Sequence, residues 1–478
     1  MAIALSLTLM EDDNSTRVVT QRLRALALAS VPGTRLPSVR ELQQRHRVSP
    51  LTVKHAMTPL IAEGLIEAMP GHGTFVRMRA DAPVIGKDLA WQSVVLGAQR
   101  PTGEALGNLI ALPCAGSLAL SSGYLPPELQ ATKALTAAMT RAVRRPGVWD
   151  RLPIEGLEPL RAWFARELHV SFSAGDVLIC SGGQAAIATT LRALTSPGDA
   201  ILMESPTYVG AIAAAHAAGL SIIPVPTDEH GVRTDLLREA LRTSGAKVFY
   251  CQPAHSNPSG AVLSADRRTT VLDVVAAAGA FLIEDDWARD LGFDGVTPPP
   301  LATSDPHGHV IYIRSLTKAA APGLRIGALI ARGAARVRLK ACRTIDDFYV
   351  AGPLQEAALQ LLTSSAWGRH LRSIRAALLQ RRDVLVAALR AHWSASTIAA
   401  VPRGGFHLWL RLPADASDID VTRNAARLGV IVSPGRHWFP AESSTSYLRL
   451  TFTAAPPEQL RRAAKLLSQT LSVHESGH

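Results

Sequence analysis

Val310-Ile311-Tyr312-Ile313 runs into Ser315-Leu316-Thr317-Lys318 and then into Gly323-Leu324-Arg325-Ile326-Gly327. The apolar, β-branched run predicts a buried strand. The loop after it is built from small residues and carries a hydroxyl, a lysine three residues on and an arginine seven beyond that. Small residues let a ligand approach the backbone closely, and the charged groups offer an anion partner beside an amine. A lysine so placed can condense with a carbonyl, while serine and arginine can hold a phosphate. A surface loop with solvated charges has the same composition. The other strand ends decide between the two.

The chain has 478 residues, 47% of them hydrophobic, enough for a large core and more than one domain. A formal net charge of +11 is compatible with a nucleic acid partner. Cys114, Cys180, Cys251 and Cys342 are scattered, with neither metal-ligand spacing nor a disulfide framework, which predicts a reducing, cytoplasmic setting. Met1 to Met10 is apolar but lacks a basic flank and meets Glu11-Asp12-Asp13, so no signal peptide is expected. No apolar run reaches the length of a membrane span, and no membrane partner is expected.

From Arg17 to about Ala29, Val18, Val19, Leu23, Leu26 and Leu28 predict one helix, stopped by Pro32-Gly33. Ser38 and Glu41 form a capping box that opens a second helix, reaching about His46. Ser49 followed by Pro50 opens a third, reaching Glu63, and Gly64 ends it. Leu65 to Met69 and Thr74 to Arg77 then predict a hairpin around Pro70-Gly71-His72-Gly73. Three helices and a hairpin make a winged helix-turn-helix. Residues Arg35 to Lys54 are strongly positive, and a helix beginning at Ser49 can set its N-terminus and short polar side chains against phosphates and base edges.

This segment resembles the GntR-type winged helix, through Leu36-Pro37-Ser38, Arg40-Glu41-Leu42, Val48-Ser49, Thr52-Val53, Glu63-Gly64 and Gly71 with Gly73-Thr74-Phe75-Val76. The resemblance implies that Arg40, Ser49, Thr52, Lys54 and the wing tip Gly71-His72 contact double-stranded DNA. Pro50 departs from the family, which often carries arginine or another polar residue there, so one DNA contact of the family is expected to be missing. A winged helix used for protein contacts is the competing reading.

Residues 80–116 show no clean helical or strand period and predict a partly ordered tether, within which Gln92 to Leu96 can dock. From Ser121 onward helical and β-branched segments alternate, the pattern of a largely parallel sheet covered by helices. The predicted strands are Val177-Ile179, Ala200-Glu204, Ser221-Pro224, Lys247-Tyr250, Phe281-Glu284 and Val310-Ile313. After the first comes Ser181-Gly182-Gly183-Gln184, free backbone N–H groups at a helix start and suited to a phosphate. After the second comes Tyr208, either a ring near the same edge or a buried core tyrosine. Asn257, between prolines in Pro253 to Gly260, can donate to a phenolate oxygen or simply make an Asn-Pro turn. Glu284-Asp285-Asp286-Trp287 closes the fifth strand; acids there demand a cation, and a protonated pyridine nitrogen held by Asp285 answers that demand. A metal is the other candidate, but no His or Cys lies nearby in sequence to complete its site. Pyridoxal 5'-phosphate is the cofactor these pieces fit together.

In this order they resemble the fold-type I aminotransferases, from about Gly123 to Leu471, including Gly156, Leu160-Arg161, Pro197-Gly198-Asp199 and Gly404-Gly405-Phe406-His407. The resemblance implies Lys318 as the Schiff-base lysine, Asp285 as the ring-nitrogen partner, Asn257 on the ring oxygen and Tyr208 against the ring. Gly183, Gln184, Ser315 and Arg325 would hold the phosphate, and Arg449 would clamp an α-carboxylate; an exposed strand charge is the plain alternative for Arg449. Trp287 stands where the family usually has a tyrosine on the ring oxygen, with an indole N–H to offer instead. Gly210 stands where the best-known relatives carry a second substrate-binding arginine, which argues against a γ-carboxylate ligand.

A GntR-type winged helix before an aminotransferase-like domain resembles the MocR/GabR family of transcription factors. The expected architecture is α/β: residues 1–78 a winged helix-turn-helix, 79–118 a linker, and 119–478 a pyridoxal phosphate domain. Within the last, a large, mostly parallel sheet precedes a small α+β part, about 361–478. The family implies a domain-swapped homodimer and an amino acid or amine effector that forms an aldimine in place of Lys318. A working aminotransferase with an accessory DNA-binding module, or a regulator sensing pyridoxal phosphate itself, are the alternatives.

Overall fold

The computed structural model describes residues 2–30, 33–69, 72–77, 91–92, 95, 106–107, 110–112, 116–293, 297–393, 397–398 and 400–472, with backbone alone at 2–14, 29 and 471–472. Two compact units divide it, Met1–Ala98 and Gln99–His478. Among the described residues no helix is long and apolar enough to cross a membrane.

In the first unit α1 (Ala2–Ala29), α2 (Val39–His46) and α3 (Pro50–Ala62) precede a hairpin of β1 (Ile66–Met69) and β2 (Gly73–Val76). α1 starts well before Arg17, and its buried face is Val19, Leu23 and Ala27, at helical spacing, while Val18, Leu26 and Leu28 are exposed. The capping box forms: Ser38 Oγ accepts from the Glu41 N–H, and Glu41 accepts from the Ser38 N–H at 2.7 Å. Ser49 caps α3, with Pro50 at its first position. Val53, Ala56, Met57 and Leu60 of α3 join Leu36, Leu42, Ile66 and Val76 in one core. At the wing, Gly73 has φ 113°, and a Cβ there would meet the Arg35 guanidinium at 2.9 Å, so only glycine closes this turn. Gly71 and the predicted tether, apart from a few positions, lie outside the described residues.

The second unit opens with β3 (Leu118–Ala119), parallel to β13 (Val430–Ile431). Its main sheet contains β4 (Val177–Cys180), β5 (Ala200–Ser205), β6 (Ser221–Asp228), β7 (Gly231–Val232), β8 (Val248–Cys251), β9 (Phe281–Asp286), β10 (Val310–Ser315) and β11 (Gly327–Ile330). The order is β4-β11-β10-β9-β8-β5-β6-β7. Neighbours from β10 through β6 run parallel; β11 lies antiparallel between β10 and β4. β4, β8 and β10 are buried along their whole length, as expected of strands covered on both faces. β11 is the strand that sequence reading misses: Gly327-Ala328-Leu329-Ile330 begins with a glycine and lacks β-branched residues before its end. A smaller sheet, β12 (His407–Arg411), β15 (Tyr447–Thr451) and β14 (Ser433–Pro434), follows the long helix Ser365–Arg390.

Candidate functional site

The carboxyl ends of β4, β5, β8, β9 and β10 converge, which is where an open α/β sheet binds ligands. Lys318 sits just beyond β10. Its Nζ donates to the Gly123 carbonyl at 2.8 Å and lies 3.8 Å from the Tyr124 ring centroid. Burial, then Arg449 and Arg325, lower its pKa to about 7, against a smaller opposing pull from Asp285. A lysine near neutrality at physiological pH is a competent nucleophile.

Asp285 is buried on β9. Tyr250 Oη and Gln252 Nε2 both donate to its Oδ2, at 2.6 and 2.7 Å. Burial raises its pKa to about 6, with these two bonds opposing. Neither Tyr250 nor Gln252 was signalled by a motif; their i, i+2 spacing at the end of the neighbouring strand was the readable clue. The acid cluster separates by strand alternation. Glu284 accepts from the N–H groups of Leu301 and Ala302 at 2.8 and 3.0 Å, and Asp286 accepts from Tyr312 Oη at 2.8 Å. Each acid has its own neighbours, and among the described residues no group of three His, Cys, Asp or Glu is set to hold a metal.

A cup forms from the β4 turn and the β10 loop. Arg325 Nη2 donates to the Ser181 carbonyl at 2.8 Å, and its guanidinium lies across Gly182, where a Cβ would come to 2.9 Å. Gly182 also has φ 91°, so the cup requires glycine there, beside Gly183 and Gln184 in the same stretch. A Cβ on Gly183, the first residue of the helix Gly183–Leu194, would lie 3.5 Å from Ser315 Cβ. Gln184 Nε2 donates to the Gly210 carbonyl at 2.8 Å, so its side chain braces the neighbouring helix and its backbone N–H is the group left for an anion. Gly210 has no room for any side chain: a Cβ would collide with the Tyr208 ring and Gln184 Oε1. No arginine can stand there in this packing.

Arg449 is fully buried, not an exposed strand charge. Its Nη2 donates to the Ser121 carbonyl, Nη1 is 3.4 Å from both Asn257 Oδ1 and His407 Nε2, and its Cζ lies 4.3 Å from the Trp438 ring centroid. These partners are all neutral, Nε has none, and burial lowers the pKa to about 9. Tyr208 packs between the aromatic cluster of Trp409 and Trp438 and the sheet core, close enough to Asp285 and Arg449 to feel both charges. His407 is buried against Trp287, with ring centroids 5.6 Å apart.

Two expected roles are corrected. The Trp287 N–H donates to the His255 carbonyl at 3.1 Å and its ring packs against Phe406 and His407, so it has no free N–H for a ring oxygen. The long indole reaches the Pro253–Pro258 turn, where a backbone acceptor waits. Thr52 is buried in the first unit, and its hydroxyl lies 2.8 Å from Ser49 Oγ, which also accepts from the Thr52 N–H. Thr52 is part of the helix cap rather than of the exposed face. Arg40, Ser49, Lys54 and His72 are exposed.

These features fit pyridoxal 5'-phosphate. Arg449 Nε and Thr317 Oγ1 are buried without a protein partner, the Arg325 guanidinium lies across the Gly182–Gly183 turn, and two guanidinium groups and one carboxylate act on the Lys318 amine. The fold and site therefore define a pyridoxal phosphate protein of the fold-type I class, preceded by a winged helix-turn-helix. Residues 118–467 match the aminotransferase class I and II family, and residues 16–76 match the bacterial regulatory proteins of the gntR family. The chain belongs to the aminotransferase class I and II family, in the MocR-type arrangement with a GntR head. It is 28% identical over 437 residues to YdfD of Bacillus subtilis, described as an uncharacterized HTH-type transcriptional regulator, covering 90% of each chain. To the HTH-type transcriptional regulator TauR of Rhodobacter capsulatus it is 26% identical over 463 residues, covering 91% of this chain and 92% of the other. Among solved structures, the α-aminoadipate aminotransferase LysN of Thermus thermophilus, complexed with N-(5'-phosphopyridoxyl)-L-leucine, superposes with a TM-score of 0.72 at 26% identity, covering 80% of this chain and 99% of that one. The protein is a DNA-binding regulator with an aminotransferase-like domain.

Proposed function

We propose that the second unit binds an amino acid or related amine at a pyridoxal phosphate held by Lys318, and that this binding alters operator occupancy by the first unit. The observation that carries the reading is the charge arrangement around Lys318: its amine and the Arg449 guanidinium are held by the carbonyls of Gly123 and Ser121, two residues apart, and Arg325 and Asp285 act on the same amine. One guanidinium suits a cofactor phosphate and the other a ligand carboxylate. The bound cofactor supplies a carbonyl that condenses with primary amines and a pyridine ring that withdraws electrons. Asp285, aimed by Tyr250 and Gln252, would keep a proton on the ring nitrogen. Ser315, Arg325 and the N–H groups of Gly183 and Gln184 would hold the phosphate, Asn257 would serve the ring oxygen, and Tyr208 would pack against the ring.

The segment Ser121–Tyr124 supplies a path from site to linker. Its carbonyls cap both cations, Ser121 on Arg449 and Gly123 on Lys318. The two ends of this segment are tied to β15, which carries Arg449, and to the chain just after it: Thr451 N–H donates to the carbonyl of the preceding Leu120, and Thr453 Oγ1 to the Tyr124 carbonyl. A carboxylate arriving at Arg449 displaces Ser121, shifts the segment and favours a closed small subdomain. The chain just upstream leads to the winged helix, so ligand affinity for one arrangement biases the other. A second copy in a domain-swapped dimer would cover the exposed Val337, Ile345 and Phe348 of the helix Gly333–Asp347 and its cap.

The competing reading is a working transaminase, favoured by a Lys318 amine neutral enough to carry a proton between substrate atoms. Incubating the holoprotein with amino acids and a keto-acid acceptor separates the two. A regulator produces keto acid on the order of one equivalent per site or less, whereas sustained turnover at about 1 per second or faster, within the ordinary enzyme range, overturns the proposal.

A further inference from the structure

The outward stripe of α3 is Leu51, Lys54, His55 and Thr58, at spacings i, i+3, i+4 and i+7, and all four are exposed. Leu51 is 60% exposed in the first turn, while the inward stripe of Val53, Ala56, Met57 and Leu60 is buried. α3 is the second helix of the helix-turn-helix, the one that enters the major groove. At its leading end the groups suited to reading a base by hydrogen bonds are committed: the Ser49 and Thr52 hydroxyls bond one another and cap the helix, and Pro50 has no polar side chain. What that end presents is a leucine.

We propose that Leu51 reads the 5-methyl group of a thymine, and that the operator half-site carries a thymine under the first turn of α3. The inference rests on the DNA-binding reading of the first unit. Charge complementarity identifies the occupant: Arg40, Arg45, Arg47 and Lys54, on α2, the turn and α3, are all exposed. A polyanion fits this segment. Within the major groove of such a partner, the thymine methyl is the apolar group on a base edge. Lys54, one turn further along the same stripe, is placed for an acceptor on a neighbouring base or for a phosphate. Glutamine or asparagine at position 51 would select adenine; leucine can discriminate only through apolar contact.

The test uses the full-length protein and a duplex selected by it from a randomised library. Each thymine of the half-site is replaced in turn by deoxyuridine, which removes the methyl and leaves every hydrogen-bonding group. At one position uracil weakens the wild-type protein about fourfold, equivalent to the ~0.8 kcal/mol of one buried CH₂-sized group. Leu51→Ala, at an exposed site and with a better helix former, binds the thymine duplex as weakly as the wild type binds the uracil duplex, and it no longer distinguishes the two. The inference is overturned if no uracil position affects the wild type, or if the discrimination persists undiminished in Leu51→Ala. The first result is also what a leucine that docks a protein would give. A selection that enriches no duplex at all would instead refute DNA binding by the first unit.

Discussion

Replacing Lys318 with alanine is expected to abolish covalent retention of pyridoxal phosphate and every response of operator binding to amino acids, while operator affinity without ligand is kept. The effect is all-or-none because, among the described residues, the site supplies one amine, Lys318 Nζ, on which Arg449, Arg325 and Asp285 act. Arg325, Ser315 and the helix N-terminus can still hold the phosphate, so the variant binds cofactor reversibly and more weakly. Borohydride reduction followed by peptide mass mapping reads the covalent bond, and operator titration reads the response. Cofactor mass found on another lysine, or a response intact in Lys318→Ala, would contradict the assigned role. The first unit, with its own core, does not depend on this side chain.

Arg449→Leu is expected to weaken amino acid binding by at least about 30-fold, the ~2 kcal/mol low end for truncating one partner of a buried, hydrogen-bonded charge pair. Thermal stability should be kept or increased. A guanidinium with only neutral partners is desolvated at a cost, and a leucine fills the space without one. Burial disfavours the charge and lowers the Arg449 pKa, so the folded chain carries a desolvation cost that the leucine variant lacks. Calorimetric titration with amino acids and melting curves read both effects. A variant that binds amino acids normally would leave the buried charge without a ligand.

Much of this site was legible because its residues lie just past strands whose apolar runs are unmistakable. Val310 to Ile313 and Phe281 to Ile283 are continuous apolar runs, buried except for the half-buried Phe281, so Lys318 and Asp285 could be placed at sheet ends from local pattern alone. Contacts between distant segments were not legible. No local feature of Ser121 and Gly123 indicates that their carbonyls cap Arg449 and Lys318, and the Tyr250–Asp285 bond depends on which strands are neighbours. Thr52 shows the opposite case. The apolar stripe Val53, Ala56, Met57 and Leu60 already placed position 52 on the inner side of α3, yet the motif's polar residues drew the DNA contact there. Trp287 was misjudged because substitution of a tyrosine suggests a replaced donor, whereas a larger ring reaches a different acceptor.

In the proposed function a small molecule bound at Lys318 and Arg449 is read out on DNA. Its most direct test is operator footprinting by the full-length protein, alone, with pyridoxal phosphate, and with pyridoxal phosphate plus each of a panel of amino acids. At least one amino acid is expected to change the footprint or its midpoint in the presence of the cofactor, and to have no effect without it. A footprint indifferent to every amino acid, or one that responds equally without cofactor, would contradict it.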